Sequence, residues 1–157
     1  MKVIYNIIIV MLVVFSCGEA PEKVNKSVLL SEIFPFEETG LKAITSVINP
    51  QRETTSILYG NDCALESLKT PGLSIKGQKT LVLVTWKQRD DPNWFGAKSP
   101  SDFLMLEILK TNEDFSQIEK VSYKMVKSKN TGSNAETGNK QKKRIQLITS
   151  IVPAVMP

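Results

Sequence analysis

Histidine does not occur anywhere in this chain of 157 residues, and cysteine occurs only at positions 17 and 63. Each scarcity removes a class of chemistry. Without histidine there is no Ser-His-Asp or Cys-His nucleophile pair, because the general base is missing. A zinc site of histidine or mixed Cys2His2 type lacks its ligands. The Cys-x-x-Cys-His motif that attaches a c-type haem has no counterpart. The 8 glycines are scattered and form no phosphate-cradling loop. Aromatic residues are only 7% of the chain, yet both tryptophans fall within residues 85–100. There are no internal repeats, and no strand–helix–strand period points to a parallel sheet.

Long apolar runs are equally scarce, and the clearest one opens the chain. Lys2 supplies a positive charge, Val3 to Phe15 is apolar apart from Tyr5 and Asn6, and Ser16 stands directly before Cys17. This order of charge, apolar stretch and small-residue exit is that of a secretory signal. The stretch is well short of the roughly 20 residues a membrane span needs. A buried helix would be uniformly apolar with no polar face. With the cysteine at its exit, the segment resembles a bacterial lipoprotein signal, Val14-Phe15-Ser16-Cys17 standing as the lipobox. The resemblance implies cleavage before Cys17, a diacylglycerol on its thiol and a further palmitate-type acyl chain on the new amino terminus. Two or three chains anchor a protein stably, at about 0.8 kcal/mol per buried methylene. The expected location is a bacterial cell envelope, the outer membrane in a Gram-negative cell, with the membrane as a partner through Cys17. Cys63 is then the only thiol, with no internal disulfide partner, and reads as a small packed apolar residue.

The expected organisation is a signal peptide over 1–16, a polar tether over 17–31 and a single domain over 32–157. The net charge of +4 hides an asymmetry. From Lys120 to Arg144 there are eight basic residues (Lys120, Lys124, Lys127, Lys129, Lys140, Lys142, Lys143, Arg144) and one acid, Glu136, a net +7. Such a segment could lie on an anionic surface, at about 1 kcal/mol per basic residue near the lipid. The favoured reading is a solvated strand and linker. An exported protein seldom meets nucleic acid, so none is expected as a partner. Residues 128–143 contain no large apolar residue and read as a mobile basic insert.

Within the domain, Glu32 to Phe36 reads as an irregular strand or short turn docked on the core. Residues 41–59 alternate as a hairpin around Asn49-Pro50-Gln51-Arg52. Asn61 or Asp62 is placed to cap a short helix that carries Leu65 and Leu68 on one face. Thr80 to Trp86 has two apolar faces, as a central strand does. Asp90-Asp91-Pro92-Asn93 is a turn, Ser99-Pro100 a break, and Phe103 to Leu109 a further strand. A strand over 118–127 follows, and Arg144 to Ile151 returns to the core. These elements make an α+β domain, mainly antiparallel β-sheet with one or two short helices.

The chemistry-bearing residues concentrate in TWKQRDDPNWFGAKSP, 85–100. Trp86, Arg89, Trp94, Phe95 and Lys98 form a candidate binding loop, since aromatic faces beside fixed charges can hold a planar or cationic ligand. On the competing reading, Trp86 ends a core strand and Trp94 and Phe95 fold back over the sheet as packing area. YGNDCALE (59–66), LVLVTWKQRDDPNWFGAK (81–98) and the closing VMP (155–157) resemble small exported bacterial proteins grouped with the cytochrome P-460 family. That resemblance implies a β-rich, cytochrome P-460-like fold. Members of the family proper carry a covalent c-type haem cross-linked to a lysine, and oxidise hydroxylamine or bind small gases. Here the matching end reads RIQLITSIVPAVMP, with neither cysteine nor histidine. The resemblance therefore carries the fold and no covalent haem, catalytic residue or metal ligand.

The function expected is an envelope-anchored lipoprotein with a binding or structural role and no enzymatic activity. The alternative is a redox or small-gas-binding protein with non-covalent haem, whose iron would need Met, Tyr or the Cys63 thiolate as ligand. A carboxylate hydrolase using Asp90, Asp91 and Glu107 is a third reading, disfavoured because adjacent aspartates on a turn diverge.

Overall fold

β-Branched residues on both sides of the Asn49–Glu53 turn pair as the alternation predicts. The computed structural model describes residues 34–128 and 138–154. In it β1 (Lys42–Asn49) and β2 (Thr54–Gly60) open a five-stranded antiparallel sheet, followed by β3 (Lys79–Asp90), β4 (Lys98–Thr111) and β5 (Ser122–Lys127). The spatial order is β1-β2-β3-β4-β5, a meander in which chain neighbours are sheet neighbours. Three helices accompany it among the described residues: α1 (Phe36–Thr39), α2 (Asp62–Lys69) and α3 (Gly138–Thr149). The α+β, mainly antiparallel class follows directly from this arrangement.

Both faces of β3 are buried, which is why Thr80–Trp86 is so evenly apolar. Leu81 and Leu83 face a cluster with Ile44, Leu58, Leu109, Phe115 and Val121. Two helices close that face, α2 through Ala64, Leu65 and Leu68, and α3 through Ile145 and Ile148. Val82, Val84 and Trp86 point the other way, with Leu106, Tyr59, Phe103 and Ile108. Phe34 and Phe36 pack there too, Phe36 lying 4.7 Å from both the Phe34 and Tyr59 rings. The docked turn expected around Phe36 is thus one turn of helix. Gly60 sits where β1 and β3 close in: a Cβ there would come within 2.6 Å of Ile44 Cδ1.

The α2 N-terminus is held by Asn61, as its position suggested. Its Oδ1 accepts from Ala64 N at 3.0 Å and Thr80 N at 3.1 Å, and its Nδ2 donates to Gln78 O at 2.7 Å. One side chain therefore caps the helix and ties it to the start of β3.

Three expected boundaries move. Ser99-Pro100 lies inside β4, with Pro100 opposite Gln88; there β4 has only β3 beside it, so the missing N–H costs no ladder bond. Residues 118–127 divide into a 3-10 turn, Ile118–Lys120, and β5. Helix α3 begins at Gly138, inside the stretch 128–143 expected to be a mobile insert. Its first turn carries Lys140 and no acid, so the helix dipole opposes it. Tertiary contacts hold it instead, among them the packing of Ile145 and Ile148 and the ion pair of Arg144 with buried Glu107. The segments expected to be signal and tether, with Cys17, lie outside the described residues, as do 129–137 and the closing VMP (155–157).

Candidate binding surface

The pairing of β2 with β3 ends at Thr54–Lys87, and that of β5 with β4 at Met105–Lys127. On the β2 side Gln88 N still donates to Glu53 O at 2.7 Å. From Arg89 onward β3 and β4 continue as a two-stranded ribbon, pairing Arg89 with Ser99 and Asp90 with Lys98. Register shifts on both sides of Trp86 mark the change, and bulges of this kind increase local twist and re-aim side chains.

Backbone bonds fix the loop at the end of the ribbon. Asp91 N donates to Ala97 O at 2.9 Å, and Ala97 N to Trp94 O at 3.1 Å. Asp91 Oδ1 accepts from Asn93 N at 2.9 Å and from Trp94 N at 3.2 Å, an aspartate-capped turn. Gly96, at φ 76°, takes the left-handed position that closes the loop. Lys98 pairs with Asp90 across the ribbon. That hydrogen bond, with the charges of Asp90 and then Glu53, raises the Lys98 pKa.

On this frame Trp94 is 73% exposed and Phe95 fully exposed. The reading in which both fold back over the sheet is therefore incorrect. The loop is closed by its own backbone and by Asp91, and neither ring belongs to the buried clusters of the sheet. Trp86, by contrast, is 3% exposed within the sheet. Its Nε1 has no hydrogen-bond partner among the described residues. The five candidate residues thus divide: Trp94 and Phe95 share the tip, Lys98 and Arg89 flank it exposed on the ribbon, and Trp86 belongs to the core.

The sequence reading missed a buried ion pair. Glu107, fully buried, accepts from Arg144 Nε at 2.7 Å and Nη2 at 2.6 Å, and from Tyr123 Oη at 2.6 Å. The pair fastens α3 to the sheet. A lone carboxylate in the apolar run Phe103–Leu109 was the available signal, because a buried charge needs a partner. It also removes the carboxylate hydrolase reading. Glu107 lies nine residues along β4 from Lys98, the partner of Asp90, or roughly 30 Å at strand spacing.

The basic segment is less free than its charge count implies. Lys120 pairs with Glu113, Lys142 with Glu119 and Arg144 with Glu107. Cys63 is half-buried, its Sγ 3.7 Å from Lys76 O. Among the described residues no three His, Cys, Asp or Glu side chains cluster as a metal site, and no helix is long and apolar enough to cross a membrane. A groove of about 810 Å³ lies between β1, α2 and Val152–Ala154, lined mainly by apolar groups such as Ile44, Leu65 and Leu68. Comparison of the sequence with protein-family models gives no match, and comparison with curated proteins gives none.

Proposed function

We propose that this chain is an envelope lipoprotein, anchored through acylated Cys17, whose domain is a binding module that makes contact through the β3–β4 tip. On this reading the domain is cytochrome P-460-like in fold and carries no covalent haem. The observation that supports it is the exposure of adjacent Trp94 and Phe95 on a loop closed by four short-range hydrogen bonds and one ion pair. Large aromatics left in water on a rigid mount add nothing to the core, and tryptophan is among the residues most often dominant in binding contacts.

Two measurements test the reading separately. Cys17→Ala should abolish labelling by a palmitate analogue and leave an unprocessed precursor; labelling that survives rules out the anchor. The double substitution Trp94→Ala, Phe95→Ala should leave the fold intact while the domain loses its contact with the envelope, read by crosslinking from a photoreactive residue at the neighbouring exposed position 93. Unchanged crosslinking rules out the tip as the contact surface.

A further inference from the structure

We infer that the tip's partner is the lipid interface of the bilayer in which the chain is anchored, Trp94 and Phe95 inserting at headgroup level. This rests on the lipid-anchor reading and names the partner of the same site. The shape of the tip argues for lipid over protein. The rings stand at the end of a two-stranded ribbon, and among the described residues no rim of neighbouring side chains covers them, Phe95 being fully exposed and Trp94 mostly so. A protein contact gains from such a rim, whereas a bilayer interface accepts an exposed aromatic tip from every side.

Lys87 and Arg89 are exposed cations along the ribbon, and Asp90 is paired with Lys98. Asp91 and the nearby Glu53 keep their charge, so the tip is close to neutral. Its aromatic rings, not its charge, would carry the insertion. Reach agrees with this. From Cys17 to Phe34 is 17 residues of chain, at most about 60 Å when extended. The 12 residues of β3 measure about 40 Å. The tip can therefore return to the membrane that holds the anchor.

The two tryptophans make the test simple. Mature full-length protein carrying Trp86→Phe, with Trp94 as its only tryptophan, is reconstituted into phosphatidylethanolamine–phosphatidylglycerol vesicles. One set carries bromine on the acyl carbons nearest the headgroups, and the other carries none. Mass spectrometry of the same preparation reads the lipid on Cys17 independently. The expected result is a blue shift of Trp94 emission on reconstitution, and loss of emission in the brominated vesicles that Phe95→Asp reverses. Should Trp86→Phe fail to fold, the difference between the parent and Trp94→Phe gives the same reading. Emission that stays unshifted and unquenched in lipidated protein overturns lipid insertion while leaving the anchor standing. A shift produced only by added envelope proteins overturns it too, in favour of a protein partner. Protein without lipid on Cys17 removes the anchor reading, whatever Trp94 does.

Discussion

Trp86 and Trp94 lie eight residues apart on one hairpin and have opposite surroundings. At Trp86, β3 has a neighbour on each side and apolar groups against the indole, so the ring counts as core. At Trp94 only the ribbon remains, and the loop needs no side-chain packing because Asp91 and the backbone close it. The lesson concerns what an aromatic residue in a sequence signifies. Hydrophobicity alone does not assign a ring to the core; the number of strands still beside it does. The hairpin is thus a scaffold at its base and a contact surface at its end.

The contrast predicts a gradient of mutational cost, steepest at the base. Trp86→Ala should cost about 3–5 kcal/mol, as a large-to-small change in a packed site, read as the urea midpoint. Arg144→Met should cost about 3 kcal/mol, because it leaves Glu107 buried without its cation. That variant should also loosen α3, seen as faster amide exchange over 144–149. Gly60→Ala should cost about 1–3 kcal/mol through overpacking against Ile44 and Leu81. If Trp86→Ala proves mild, the base of the hairpin is not core and the comparison collapses.

A smaller effect distinguishes the two ends by pH. Asp114, just past the base, has its pKa lowered by hydrogen bonds from Ser116. Its contribution is present above the ordinary aspartate range and is lost as pH falls through the lowered value. Lys98, at the tip, has its pKa raised by Asp90. Its contribution is present below the ordinary lysine value and is lost as pH rises through the raised one. Asp114→Asn should therefore flatten the acid limb of a pH–stability curve, and Lys98→Met the alkaline limb. Both changes should be small, since Lys98 is exposed and Asp114 is only partly buried.

Much of the sheet was legible in the chain. Alternation from Leu41 to Tyr59, the two-faced run Thr80–Trp86 and the capping position of Asn61 are local signals, and each matches its element. The elements misread depend on distant groups. Gly138–Lys143 has no apolar residue to mark a helix, and α3 is held by Ile145, Ile148 and a bond from Arg144 to Glu107, 37 residues away. Pro100 looked like a break because nothing local shows that β4 there has a neighbour on one side only. The site was half legible. Residues 85–100 stood out for their aromatics and charges, but whether the rings face core or water depends on where β2 and β5 stop pairing.

The central claim is that the tip of the hairpin is surface, and one measurement addresses it directly: the urea midpoint of the double variant Trp94→Ala, Phe95→Ala beside those of the parent and Trp86→Ala. Exposed side chains away from special features usually change stability by no more than about 0.5 kcal/mol. The double variant should therefore unfold at nearly the parent midpoint, far above Trp86→Ala. A midpoint lowered as far as that of Trp86→Ala would contradict the account, because it would mean that Trp94 and Phe95 pack against the domain.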